Sequence, residues 1–237
     1  MKILEVKKLF KNFGGFKLGP LDFEIEKGEI YVIVGPNGSG KTTTLKLIAG
    51  TLRKDGGEIF LEGEKILESD DNFKKKIGFI QDEPFVYPYL TGAEQIFFMA
   101  SLYGIKKENA TERLRYFSSL LETHTWINEI SKNYSHGMKQ KINIIQALIH
   151  DPSLLLIDEP LVALDPKAVF NFKRYLKDFK EKGRGVLIAT HSLNFAEEIC
   201  DRVGFLKDGK IVIEGEKEHL YKKYNAKSFE EIFIKNL

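Results

Sequence analysis

Gly35-Pro36-Asn37-Gly38-Ser39-Gly40-Lys41-Thr42 is the stretch on which the reading of this chain turns. It fits G-x-x-x-x-G-K-[ST] in full, and its flanks supply the context that the pattern requires. Upstream, Ile30-Tyr31-Val32-Ile33-Val34 is a short, continuous β-rich run that stops at glycine, as a buried strand does. Downstream, Lys41 to Ala49 reads as a helix closed by Gly50. Glycines between a strand and a helix let successive N–H groups face one point and form an anion nest. The positive end of the following helix dipole adds to that nest. The expected phosphate cradle is Gly35, Pro36, Asn37, Gly38, Ser39, Gly40, Lys41, Thr42 and Thr43. Within it, Lys41 is expected to reach β- and γ-phosphates, and the Thr42 hydroxyl to ligate Mg2+.

Working outward, strand-like and helix-like stretches alternate almost from end to end. Ile3 to Val6 and Leu21 to Glu26 alternate with period two, and Ile59 to Leu61 and Ile77 to Ile80 are short strands. From about Glu83 to Leu148 the β-rich runs vanish and helical periodicity takes over. Thr91-Gly92-Ala93-Glu94 is a capping box opening a helix to about Tyr103, and a second helix covers Glu108 to Leu121. Strands return at Leu154 to Asp158, Val186 to Thr190, Val203 to Leu206 and Ile211 to Ile213. Asp165-Pro166 caps a helix running to about Lys182, and Ser228 opens a last short one. The expected architecture is a single α/β domain over residues 1–237. Residues 1–82 and 154–215 form a P-loop core with a mixed sheet flanked by helices. Residues 83–153 form an inserted helical lobe, and residues 216–237 a helical tail.

Leu154-Leu155-Leu156-Ile157-Asp158-Glu159 is an apolar strand ending in two acids. Carboxylates at the end of a buried strand are costly unless they meet a cation or hydrogen-bond donors. Beside a phosphate cradle, Mg2+ is the economical partner for Asp158, while Glu159, at a different angle, can polarise an attacking water. His191 ends another strand, and parallel α/β sheets place ligands at the carboxyl ends of their strands. His124, His150 and His219 have no motif around them and read as surface. Trp126, Phe97, Phe98, Tyr103 and Phe117 read as lobe core or partner-contact surface.

Bulk composition excludes several classes. Lys+Arg 36 against Asp+Glu 34 leaves a net charge of +2, so no global field favours nucleic acid or a polybasic membrane anchor. The single cysteine forms no intrachain disulfide and fits a reducing compartment. No apolar run approaches the roughly 18–20 residues that cross a bilayer, and the first eight residues lack a signal-peptide core. The expectation is a chain soluble by itself, reaching a membrane only through a partner.

Tyr134-Ser135-His136-Gly137-Met138-Lys139-Gln140-Lys141 resembles the L-S-G-G-Q signature of the ABC ATPase family, and lies about twenty residues ahead of Asp158, where that family keeps it. Gln81 is similar to the family's Q-loop glutamine, Leu161-Val162-Ala163-Leu164-Asp165 to its D-loop, and His191 to its switch histidine. Phe13 sits where the family stacks an aromatic ring on adenine, with Phe16 as the alternative. The likeness spans about residues 1–215 with every element in order. Two positions depart from the commonest signature: His136 replaces a glycine and Met138 the glutamine. The resemblance implies an ATP hydrolase that binds ATP and Mg2+. Glu159, His191, Gln81, Ser135 and Gly137 would be catalytic, and Thr42, Gln81 and Asp158 would contact the metal. It also implies a second cassette, as homodimer or with a paralogue, closing head to tail over ATP. An integral membrane permease would be the partner, at the inner, cytoplasmic face of the cell membrane, with no nucleic acid expected. The Y-S-x-G-M-K-Q form, with Glu83-Pro84 and Tyr87-Pro88 upstream, resembles cassettes serving exporter-type permeases. The rival is a soluble ABC ATPase acting on ribosomes or DNA. Against it stand the single cassette and the compact interval between cradle and signature.

Overall fold

The computed structural model describes residues 1–67, 71–159 and 163–236. Among them, strands β1 (Lys2–Asn12), β2 (Lys17–Glu26), β4 (Gly56–Leu61) and β5 (Glu64–Lys65) form an antiparallel sheet in the order β2-β1-β4-β5. A second, larger sheet runs β10-β9-β3-β8-β7-β6. Its members are β3 (Ile30–Val34), β6 (Ile77–Ile80), β7 (Leu154–Asp158), β8 (Gly185–Thr190), β9 (Arg202–Lys207) and β10 (Lys210–Glu216). All its neighbours are parallel except β9 and β10, so the sheet is mixed as expected. Sequence pattern did not reveal that the early strands belong to a separate sheet. That division depends on β1 pairing with β4, Val6 opposite Ile59, which no local period encodes.

The large sheet is covered on both faces. Every residue of β3, β7 and β8 is buried, which is why these strands read as continuous apolar runs. Alternate residues of β3 serve different cores: Ile30, Val32 and Val34 face one cluster, Tyr31 and Ile33 the other. The second cluster lies under α1 (Lys41–Ile48) and the antiparallel sheet. The first takes in α5 (Pro166–Glu181), α6 (Leu193–Ile199) and the helical insertion between β6 and β7. That insertion contains α2 (Gly92–Leu102), α3 (Lys107–Leu121) and α4 (His136–Leu148). At the start of α2, Thr91 and Glu94 make the expected reciprocal capping box, satisfying two end N–H groups.

Among the described residues α6 escaped the sequence reading, while α7 (Lys217–Tyr224) lies within the expected helical tail and buries only Leu220. The tail ends in α8 (Phe229–Asn236), whose Phe229 is fully buried and edge-on to Phe205 of β9 at 5.6 Å. Burying a phenylalanine contributes about 1.5–3 kcal/mol, so the tail is anchored to the core. His150 is also corrected. Its ring is half-buried and stacked on Tyr103 at 3.9 Å, and its Nε2 donates to the Ile77 carbonyl.

Candidate functional site

The chain between β3 and α1 folds as a tight loop, and Gly40 shows why the spacing is strict. Its φ is +108°, and a Cβ there would lie 2.5 Å from Leu18 Cδ1. Any side chain would be strained in backbone and blocked in space. Pro36, Asn37 and Gly38 are exposed on the rim, while Gly35 and Ser39 are buried beneath. Lys41, 7% exposed, donates from Nζ to the carbonyls of Gly35 (2.9 Å) and Pro36 (3.1 Å). Burial pulls its pKa down, and the nearby Glu159 and Asp158 carboxylates oppose that shift. Thr42 is exposed and Thr43 half-buried on the first turn of α1.

Asp158 ends β7 beside this loop and is almost wholly buried. Its Oδ1 has no hydrogen-bond partner among the described residues. Burial raises its pKa; a hydrogen bond from the Thr42 hydroxyl pulls the other way, while Asp82 and Glu159 add repulsion. An orphaned carboxylate oxygen beside an exposed hydroxyl fits Mg2+, which takes one or two carboxylates and completes its shell with waters and phosphate oxygens.

Glu159 leaves the strand with φ +46°, and this left-handed residue swings its side chain across to the end of β8. There Oε2 accepts from the Thr190 hydroxyl (2.9 Å), and Oε1 accepts from the His191 backbone N–H (2.9 Å) and from Nδ1 (2.7 Å). Nδ1 therefore carries a proton toward the carboxylate, and the Nε2 edge of the largely exposed ring faces outward. The arrangement is a carboxylate oriented by two neighbours, with a histidine whose second nitrogen is available to a ligand. Gln81 follows β6 with its side chain exposed and its carbonyl held by Asn143 Nδ2 of α4 at 2.8 Å. Cradle, Asp158, Glu159, His191 and Gln81 thus lie at the carboxyl ends of β3, β7, β8 and β6, the edge where open α/β sheets bind ligands.

Ser135 and Gly137 stand apart from this group. Ser135 is the exposed N-cap of α4, its hydroxyl accepting from the Met138 N–H at 3.2 Å. Among the described residues, no hydrogen bond joins Ser135 or Gly137 to residues 35–43. The helix start is nonetheless an anion-directed donor, with free N–H groups and the positive dipole end. Gly137 packs against Ala163: a Cβ on it would sit 2.3 Å from the Ala163 carbonyl oxygen. Of the expected D-loop, Leu161 and Val162 lie outside the described residues, as does Pro160.

Phe13 sits half exposed at the tip of the β1–β2 hairpin, whereas Phe16 turns its ring toward Gly40. Three residues near the site were not singled out from sequence. Asp82 feels both Glu159 and His191, Thr190 orients Glu159, and Lys141 pairs with Asp165. Only Asp82 carried a local signal, as an acid directly after Gln81.

A sequence profile for the family described as ABC transporter matches residues 18–162. The chain is 36% identical over 214 residues to the SkfA peptide export ATP-binding protein of Bacillus subtilis (strain 168), covering 90% of this chain and 87% of that protein. A solved ATP-binding subunit of an ABC transporter superposes with TM-score 0.92 at 29% identity, covering 98% of both chains. A dimeric ATP-binding cassette in a post-hydrolysis state, bound to ADP and Pi, superposes with TM-score 0.81 at 28% identity, covering 90% of this chain and 98% of that one. Among the described residues, no helix is long and apolar enough to cross a membrane.

Proposed function

The chain belongs to the ABC transporter family as an ATP-binding, ATP-hydrolysing subunit, and we propose that it works in a head-to-tail pair that powers export through a separate membrane permease. The observation that carries this reading is that one chain holds two separated anion-directed helix starts. One is α1 beneath the cradle, and the other is α4 with the exposed Ser135. A second cassette, a copy or a paralogue, would bring its Ser135 hydroxyl and α4 N–H groups to the γ-phosphate lying on the first cassette's cradle. The dimeric neighbour with ADP and Pi supports such pairing.

In this mechanism the loop N–H groups and Lys41 bind the β- and γ-phosphates, and Phe16 or Phe13 packs on the base. Thr42, Asp158 and Gln81 would hold Mg2+, which when bound neutralises charge on the β- and γ-oxygens. Glu159, held by Thr190 and His191, accepts a hydrogen bond from the attacking water and orients it. The outward Nε2 of His191 can donate to a γ-phosphate oxygen when the ring carries both protons. Supplying one set of donors from across an interface ties hydrolysis to closure and reopening of the pair.

Gln81, pinned by its carbonyl to α4, links the reaction centre to the helical lobe. Phe85, Tyr87 and Phe98 form an edge-to-face aromatic run on that lobe, with ring centroids 5.1 and 5.9 Å apart. All three are exposed, Phe85 by 65%. Such a patch supports docking of a membrane partner, and so a place at the cytoplasmic face of the cell membrane. The export function of the SkfA relative favours the direction.

The test is ATP-driven association of a Glu159→Gln cassette, measured by sedimentation velocity. The pairing reading expects a dimer with Mg·ATP that is lost on Ser135→Ala substitution. A species that stays monomeric at saturating Mg·ATP refutes it. Capture from solubilised membranes addresses the partner: an integral membrane protein supports the permease, and ribosomes or DNA refute it.

A further inference from the structure

Glycine 137, Lys141 and Asp165 meet at one joint between the lobe and the core. Gly137 lies on the first turn of α4, and its close approach leaves no room between the helix and the Ala163 carbonyl. Lys141 is one turn further along the same helix, hence on the same face. It is 8% exposed, and its Nζ donates to Asp165 Oδ2 at 2.6 Å. The other oxygen of that carboxylate, Oδ1, accepts from the Ala168 N–H at 2.9 Å and caps α5. One carboxylate therefore ties the start of α5 to the helix that begins at Ser135. Between the two contacts runs the turn at Ala163, itself in the left-handed region with φ +64°.

We propose that Lys141 is a positioning residue: its ion pair with Asp165 fixes the turn at residues 163–165 to the first turns of α4, so that the Ser135 donor group and this turn move as one body. This rests on the pairing proposed above, because the consequence lies in what the joint presents to a second cassette. Asp165 remains 45% exposed, and an ion pair so open to water contributes little to folding. Lys141 therefore acts mainly on geometry. The cradle that binds ATP in the same chain lies outside this joint, so intrinsic nucleotide affinity is insulated from it.

The experiment uses the full chain with Lys141→Met, Lys141→Arg, Asp165→Asn and the Lys141→Met/Asp165→Asn double variant. Asparagine keeps the acceptor that caps α5 and removes the charge. Misplacing a catalytic donor by an ångström costs about 100-fold, so turnover is expected to fall roughly 10- to 100-fold in Lys141→Met and in Asp165→Asn. The double variant should be no worse than either single one, since the two changes break one interaction. Lys141→Arg should restore most of the activity. Affinity for a fluorescent ATP analogue should stay within about twofold, a split that a merely unfolded variant does not give. In a Glu159→Gln background, Lys141→Met should weaken ATP-driven dimerisation. Unchanged turnover in both single variants overturns the proposal, as do losses that multiply in the double one. If Lys141→Met fails to fold, Asp165→Asn with its cap intact carries the same test. A Glu159→Gln cassette that never pairs refutes the pairing, and this proposal with it. One that pairs equally well without Lys141 refutes only the role of Lys141.

Discussion

Asp158→Asn separates the cost of the site from its use. The carboxylate is almost wholly buried, its Oδ1 has no partner, and burial holds its pKa above the usual aspartate value of 3.8. A raised pKa means that the folded chain keeps this proton when the unfolded chain has lost it. Stability then falls as pH rises from about 3.8 through the folded pKa, and the full penalty is in place above it. Asparagine has the same shape, can still accept from the Thr42 hydroxyl, and carries no charge. It removes repulsion from Asp82 and Glu159 at the expense of one attraction, to Lys41. An unsatisfied neutral polar group costs about 1–3 kcal/mol when buried and an unsatisfied charge costs more, so trading the charge for the amide should give about 1 kcal/mol. For a chain of this size that is a rise of roughly 2–4 °C in Tm without ligand. With Mg·ATP the order should reverse. At 100 times Kd a ligand stabilises by about 2.7 kcal/mol, and the variant should forfeit most of it. Thermal unfolding of both proteins, with and without Mg·ATP, reads all four values. A variant that is less stable without ligand, or that keeps the whole Mg·ATP increment, refutes the reasoning.

The remaining predictions concern neighbouring positions. Glu159→Gln should lower steady-state ATP turnover by about 10²–10⁴-fold. Its Tm should stay near the starting value, because a reoriented amide can accept from His191 and donate to Thr190. Gly137→Ala places a Cβ 2.3 Å from the Ala163 carbonyl; it should destabilise by about 1–3 kcal/mol in urea titrations and lower turnover more than nucleotide affinity. Burial pushes the His150 imidazole below its usual 6.5, so folding favours the neutral ring and stability is lost as pH falls from 6.5 toward the folded pKa. His150→Gln should flatten that acid-side slope of the urea midpoint.

What was legible in the sequence is what is local. β3, β6 and β7 match their expected bounds to the residue, because each is an apolar run closed by a polar or turn residue. β1 extends well past its expected end at Val6. Bulges near Lys8, with φ +48°, break the alternation that would have announced the rest. α6 was missed for another reason: seven residues are too short a run to show a helical period. The same distinction governs the site. Cradle residues are contiguous, and the chemistry of a strand-end acid pair can be argued from the strand alone. Nothing local reveals that Glu159 turns left-handed to reach Thr190 and His191, or that Lys141 reaches Asp165 across 24 residues. These links exist only after β7 and β8 lie parallel and the lobe has closed onto α5. They orient groups whose chemistry was already apparent. Motif order therefore points to the proposed reaction centre, while the joints that would transmit its motion had to come from packing.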